Sequence, residues 1–205
     1  MKINRYLVFL FAIVLLVCSF VGCNPTKESK SDTYVVMLSM DAFRWDYYQK
    51  ANTPNLNAIA KAGVRAEGLI PCYPSKTFPN HYSMATGLYP NNHGIVNNRF
   101  YDSTLGYFSL SDRKAVENAA FYGGEPIWLT AEKQGVKAGT FFWVGSEAPI
   151  GGNSAFFLIR VNEKVPFEAR IDTVIQWLNL PEEERPHLVA FYFQEPDGTS
   201  HRDGP

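Results

Sequence analysis

The hydroxyl of Thr77 stands where a loop is predicted to become a short helix, in the run PSKTFPNH of residues 74–81. A helix N-terminus presents unpaired backbone N–H groups and the positive end of the helix dipole, which favour an alkoxide and a phosphoryl oxygen. A threonine placed there can serve as a nucleophile. The alternative is that Thr77 only caps the helix, which is the commoner role for such a residue.

Two acidic residues and a histidine offer candidate metal ligands. Asp197 and His201 are four residues apart, a spacing that puts a carboxylate and an imidazole on one side of a turn and suits two ligands to one metal ion. Asp41 directly follows an apolar run, where a carboxylate needs water, a hydrogen-bond donor or a metal ion. The Asp197/His201 signal is weak alone, because a loop Asp/His pair is usually solvated, whereas Asp41 after a buried strand is a stronger candidate.

The run YVVMLSM of residues 34–40 is continuous and rich in β-formers, the pattern of a strand buried on both faces of a parallel sheet. Asp41 is therefore predicted to lie at the carboxyl end of this strand. A helix is predicted next, with Thr53 as its cap, Pro54 at its first position and Gly63 at its end.

The alternation of strand and helix continues along the chain. Helices are predicted over residues 125–134 and 167–179, and strands over residues 137–143 and 188–193. This order predicts an α/β fold with a mostly parallel sheet sandwiched by helices. Sites in such sheets form beyond the carboxyl ends of the strands, so we expect Asp41 and Asp197 to converge although they are far apart in sequence.

Four ordered motifs resemble those of the nucleotide pyrophosphatase/phosphodiesterase family, in the alkaline-phosphatase superfamily. They are SMDAFR at residues 39–44, PSKTFPNH at 74–81 continuing through TGLYP at 86–90, HGIVNN at 93–98, and EPDGTSH at 195–201. The shared order and spacing make the resemblance specific, and it covers residues 34–205. It implies an alkaline-phosphatase-like fold of which this chain is the N-terminal part, incomplete at the C-terminus.

The resemblance implies a metal-dependent hydrolase of phosphodiesters or pyrophosphates. Asp41 and Thr77 match ligands of one zinc ion, and Thr77 also matches the nucleophile that is transiently phosphorylated or nucleotidylated. Asp197 and His201 match ligands of a second zinc ion. In such a site one metal ion activates the attacking hydroxyl, the other offsets charge on the phosphorus oxygens or the leaving group, and both hold an in-line displacement.

Further residues are implied to bind substrate. Asn98 matches the side chain that, with the Thr77 backbone N–H, holds a non-bridging phosphoryl oxygen. Phe78 matches an aromatic wall of the pocket. Phe156 and Phe157 are candidates for the aromatic side chain that stacks on a nucleobase.

Two positions depart from the family pattern, namely Ser200, where glycine is usual, and Val144, where proline is usual. These changes bear on substrate preference. His81, His93 and His187 match no ligand position and are predicted to be structural or surface histidines. The family's three remaining metal ligands are expected beyond residue 205, so the 205-residue chain alone is expected to bind zinc poorly and to be inactive.

The composition limits the kinds of molecule that the protein is expected to bind. A net charge of −1, from 19 basic and 20 acidic residues, gives no electrostatic footprint for a nucleic-acid polymer. The small phosphodiester or nucleotide substrate that we expect is what the family resemblance implies. A hydrophobic content of 46% supports a substantial core. Three cysteines are present, of which only Cys72 would remain unmodified in the mature protein, so a disulfide framework is not expected.

The N-terminus resembles an export signal. A short basic start precedes an apolar run over residues 6–17 that has the length of a signal-peptide core. The following FVGC resembles a bacterial lipoprotein cleavage box, with Cys23 acylated, and the alternative is a plain signal peptide or an uncleaved anchor. We expect a signal peptide over residues 1–22, a polar tether over residues 23–33, and an exported protein held to the bacterial cell envelope and its membrane by lipid.

Two alternative functions stay open. The first is another hydrolase of the superfamily, acting on lipid-headgroup phosphodiesters or phosphonates. A sulfatase is excluded because its nucleophile derives from cysteine or serine, which Thr77 cannot supply. The second alternative is a non-catalytic remnant that binds phosphate or metal without turnover.

Overall fold

The chain alternates strands and helices. A computed structural model describes residues 33–160, 162 and 164–204, so the predicted signal peptide, Cys23 and nearly all of the tether lie outside the described residues. In chain order the elements are β1 (Val35–Met40), α1 (Tyr47–Lys50), α2 (Pro54–Ala62), α3 (Thr77–Thr86), α4 (Pro90–His93), β2 (Arg99–Asp102), β3 (Gly106–Ser109), α5 (Arg113–Val116), α6 (Ile127–Lys133), β4 (Ala138–Phe141), β5 (Phe157–Ile159), α7 (Phe167–Leu178), β6 (Leu188–Phe193) and α8 (Asp197–Asp203), with single 3-10 turns at Ala119–Phe121 and Ile150–Gly152.

Four of the strands form one parallel sheet in the order β1-β6-β4-β5. β2 and β3 form a separate antiparallel hairpin. Parallel strands need crossover connections, and here these include helices that pack on both faces of the sheet. The predicted α/β fold, a mostly parallel sheet sandwiched by helices, is confirmed.

Alternate residues of β6 show how the two faces are covered. Ala190 joins the buried cluster that contains Tyr82 of α3, whereas Phe191 joins the cluster that contains Trp177 of α7. Successive strand side chains point to opposite faces, so one strand contributes to both clusters. Trp177 lies so close to β4 that a Cβ at Gly139 would come within 2.9 Å of its ring. Only glycine fits there.

Four strands, namely β1, both strands of the hairpin and β5, differ from prediction. β1 lies at the edge of the described sheet, and Val35, Val36 and Leu38 are about half exposed instead of buried on both faces. An edge strand has a neighbour on one side only, which explains the difference. The hairpin and β5 were not predicted, because strands of four and three residues are too short to establish an alternating pattern.

Within the described ranges, no helix is both long and apolar enough to cross a membrane.

His93, at the end of α4, is fully buried. Its Nδ1 accepts a hydrogen bond from the Ile95 N–H at 3.2 Å, so its proton lies on Nε2, which is 2.9 Å from the Ser83 hydroxyl. Burial lowers the pKa of His93, and burial also lowers the pKa of His81. Both imidazoles are therefore neutral in the folded protein at neutral pH.

Mild acid is expected to destabilise the fold. The folded-state pKa of both histidines lies below the unfolded value of about 6.5, so the unfolded chain binds more protons once the pH falls below that value. Their contribution is fully present above pH ~6.5 and is lost as the pH falls toward the folded pKa, by up to ~1.4 kcal/mol per pH unit for each histidine. Thermal unfolding across this range measures the slope. His93→Gln should make the slope shallower, and an unchanged slope would contradict the assignment.

Candidate active site

Thr77 and Asp41 are in direct contact. Thr77 is the first residue of α3, Asp41 directly follows β1, and the Thr77 Oγ1 donates a hydrogen bond to the Asp41 Oδ2 at 3.0 Å. The residue before α3, Lys76, makes no side-chain cap. Because the Thr77 hydroxyl is engaged by a carboxylate from another element, its role is not limited to capping the helix.

Buried contacts fix the position of α3, which begins at Thr77. On its inner face Tyr82 is fully buried, and the indole N–H of buried Trp143 donates to the His81 carbonyl at 3.0 Å. The helix ends at Gly87, whose φ of 69° is a left-handed conformation that glycine adopts without strain. This packing fixes the N-terminus of α3 beside the carboxyl end of β1.

His81 is buried, which agrees with the structural role predicted as one of two alternatives, and it also contacts site residues. It is 4% exposed, and its Nδ1 lies 2.8 Å from the Thr77 carbonyl oxygen. A carbonyl only accepts, so Nδ1 carries the proton and Nε2 accepts from the Ser39 hydroxyl at 2.8 Å. Burial lowers the pKa of His81, and the charge of Asp41 partly opposes this. The spacing of four residues from Thr77 is the sequence signal that could have revealed it.

Asn98 lies beside the start of α3. The Phe78 N–H donates to the Asn98 Oδ1 at 2.9 Å, which fixes the orientation of the amide and leaves Nδ2 as a donor. The Phe78 ring packs edge-on against Phe108 of β3, with ring centroids 5.7 Å apart. The unpredicted hairpin therefore supports one of the predicted pocket residues.

α8 brings Asp197 and His201 to the same edge of the sheet. The His201 Nε2 lies 3.4 Å from the Asp197 Oδ1, as the spacing of four residues predicts. Burial raises the pKa of Asp197, and the negative charge of Asp41 raises it further. The expected convergence of the two carboxylates from distant parts of the chain is therefore present in the structure.

Two contacts, one at the start of α8 and one in its middle, set its position. The Glu195 Oε2 accepts a hydrogen bond from the Thr199 N–H at 2.9 Å, so a carboxylate caps the start of the helix. Ser200, one of the two positions where the resemblance predicts a different residue, has its hydroxyl 2.7 Å from the Tyr47 hydroxyl of α1. The departure adds a contact between α8 and a neighbouring helix.

Phe156 and Phe157 are not brought to this site. Phe157 opens β5, and the strand register places it level with Val36 of β1, roughly 16 Å before Asp41 along the strand direction at ~3.3 Å per residue. Its ring stacks on Trp177, with centroids 5.2 Å apart. Both aromatics lie toward the amino ends of the strands, because the strands are parallel and the site forms at their carboxyl ends.

The donor types at this edge fit a divalent cation. Asp41, Thr77, Asp197 and His201 offer carboxylate, hydroxyl and imidazole groups, and carboxylate and imidazole are ligands that zinc accepts. The repulsion that raises the pKa of Asp197 is one that a bound cation would relieve. In residues 33–160, 162 and 164–204, no group of three or more His, Cys, Asp or Glu residues is placed to hold a metal ion. The residues present fit part of a metal site.

Comparison with known families identifies the chain. The sequence model of the family described as "Type I phosphodiesterase / nucleotide pyrophosphatase" matches residues 35–205. The chain belongs to this family. The match includes every site residue described above.

Named members of the type I phosphodiesterase/nucleotide pyrophosphatase family are similar to this chain in sequence. Venom phosphodiesterase 2 of Crotalus adamanteus is 42% identical over 191 residues, which cover 92% of this chain and 24% of that protein. Ectonucleotide pyrophosphatase/phosphodiesterase family member 3 of Bos taurus is 47% identical over 174 residues, covering 83% and 20%. Family member 1 of Homo sapiens is 45% identical over 173 residues, covering 83% and 19%. The chain spans about a quarter or less of the length of these relatives.

A solved structure of the same family shares the fold. It is murine ectonucleotide pyrophosphatase/phosphodiesterase 5, as an inactive threonine-to-alanine variant in complex with AMP. The TM-score is 0.80 at 35% identity, and the match covers 85% of this chain and 46% of that one. This likeness confirms the alkaline-phosphatase-like fold class.

Proposed function

We propose that the protein is a metal-dependent hydrolase of nucleotide phosphodiesters and pyrophosphates, with Thr77 as its nucleophile. The observation that carries the proposal is the hydrogen bond from Thr77 to Asp41 at the N-terminus of α3, in a chain of this family. The solved murine relative supports it in two ways. Its inactive variant lacks a threonine, and the same complex contains AMP.

Hydrolysis would proceed in two displacements. The hydrogen bond to Asp41 Oδ2 orients the Thr77 Oγ1 and directs its proton toward the carboxylate. As the Oγ1–P bond forms, the bond to the leaving-group oxygen breaks. Water then cleaves the Thr77 phosphoester, which releases the nucleoside monophosphate and restores the hydroxyl.

The other site residues would bind the phosphoryl group. Asn98 Nδ2 and the Thr77 backbone N–H donate to a non-bridging oxygen at the positive end of α3. Phe78, supported by Phe108, forms an aromatic wall for the substrate.

Two zinc ions are proposed for the complete site. Asp41 and Thr77 would hold one ion, and Asp197 and His201 would contribute to the other. When bound, the ions supply positive charge that stabilises the attacking and leaving oxygens.

The export features stay predictions. The signal peptide over residues 1–22, the tether over residues 23–33 and the acylation of Cys23 rest on the sequence alone. They would place the hydrolase at the outside of a bacterial membrane, where extracellular nucleotides are accessible.

Hydrolysis of three nitrophenyl esters by the full gene product tests the proposed function. We expect kcat/KM for a nitrophenyl nucleotide diester to exceed that for nitrophenyl phosphate by on the order of 10²-fold, because no donors are assigned for the additional charge of a monoester. Faster turnover of nitrophenyl phosphorylcholine than of the nucleotide would favour the lipid-headgroup alternative. A folded protein that turns over none of the three would favour the non-catalytic remnant.

A further inference from the structure

Tyr192 of β6 contacts the candidate catalytic pair directly. Its hydroxyl donates to the Asp41 Oδ2 at 2.9 Å, and the same oxygen accepts the hydrogen bond from Thr77 at 3.0 Å. Tyr192 and Asp41 are 151 positions apart in sequence. They meet because β1 and β6 pair in parallel, with Ser39 opposite Tyr192.

The position of the Tyr192 hydroxyl is set by buried groups. Its ring packs edge-on against the His81 ring, with centroids 4.9 Å apart and planes at 87°. His81 is in turn fixed by hydrogen bonds to Ser39 of β1 and to the Thr77 carbonyl of α3. β1 and α3 therefore fix the position of the Tyr192 phenol relative to the Thr77 hydroxyl.

We propose that Tyr192 is a positioning residue that fixes the rotation of the Asp41 carboxylate. Two hydroxyl donors on Oδ2 set the plane of the carboxylate, and among the described residues Oδ1 takes part in no hydrogen bond. Oδ1 is thereby presented for a cation, while Oδ2 stays aligned with the Thr77 hydroxyl. The inference rests on the proposed function, since it assigns Asp41 its role there.

A positioning role differs measurably from a packing role. Tyr192→Phe removes one oxygen and keeps the ring that packs on His81. Partners that orient a metal ligand typically contribute 10- to 100-fold in metal affinity or activity, so we expect the zinc Kd to rise and kcat to fall by about that factor. KM should change little, because Tyr192 is not proposed to touch the substrate.

The experiment measures the zinc Kd by competition with a chromophoric chelator, kcat and KM on a nitrophenyl nucleotide, and Tm, all on the full gene product. Tyr107→Phe is the matched control, because Tyr107 lies on β3 with 79% of its surface exposed and packs on Tyr101. The control should stay within about twofold of wild type in the zinc Kd and in kcat, well below the 10- to 100-fold effect expected at Tyr192.

The outcomes separate this inference from the proposed function. A Tyr192→Phe variant with wild-type zinc Kd and kcat would overturn the inference alone, and so would a lower Tm without a change in either. If wild type binds zinc but does not hydrolyse the diester, the proposed function fails and the zinc Kd of the variant still decides the inference. If wild type neither binds zinc nor hydrolyses the diester, both are overturned.

Discussion

Replacing Thr77 by alanine is expected to lower kcat for a nitrophenyl nucleotide by at least ~10³-fold, because it removes both the proposed attacking oxygen and a proposed metal ligand. The fold should survive the change. Thr77 is half-buried at the first position of α3, and its hydroxyl bonds to Asp41 instead of capping the helix. Circular dichroism and Tm should therefore stay close to those of wild type.

Two control variants sharpen this test. Thr77→Ser keeps an oxygen in place and should retain measurable turnover. Thr86→Ala removes a hydroxyl at the other end of the same helix, where it donates to the Tyr82 carbonyl, and should leave kcat within about twofold. Turnover by Thr77→Ala within tenfold of wild type would show that the attacking group lies elsewhere.

Removing divalent cations is expected to lower the turnover of the full gene product on the order of 10³-fold, and added zinc should restore it. The physical reason is the repulsion between the Asp41 and Asp197 carboxylates at the carboxyl edge of the sheet. Burial and the charge of Asp41 raise the pKa of Asp197, and a bound cation would relieve this repulsion and supply the positive charge that a phosphoryl transfer needs. The measurement is kcat after dialysis against a chelator and during titration with zinc.

A matched pair of variants on α8 tests which residues hold the cation. Asp197→Asn should require a higher zinc concentration for half-maximal activity. Asp203→Asn, an exposed residue at the end of the same helix, should not. Full turnover in the presence of excess chelator would contradict the metal-dependent mechanism.

The long, periodic elements could be predicted from sequence, and the short ones could not. The apolar runs of β1 and β6 and the pattern of α2, from Pro54 at its start to Gly63 at its end, carry enough residues to define their type. The hairpin β2–β3 and the strand β5 do not. The edge position of β1 depends on strand order, which no local pattern encodes.

The site residues divide in the same way. Some are indicated by local sequence patterns, and others reach the site only through the pairing of distant strands. Asp41, Thr77 and Asp197 follow from their places at the ends of predicted elements and from the motif resemblance. Tyr192 lies within an apolar strand, and only the pairing of β1 with β6 brings it to Asp41. Phe156 was considered for its aromatic type alone, which carries no information about position.

The most direct test of the central claim is to trap the covalent intermediate. The full gene product is mixed with a nucleotide diester, quenched with acid within a single turnover, digested, and analysed by mass spectrometry. The account predicts a nucleotidyl or phosphoryl group on the peptide that contains Thr77, and its absence from Thr77→Ala. A modified residue other than Thr77 in an actively hydrolysing enzyme would contradict it.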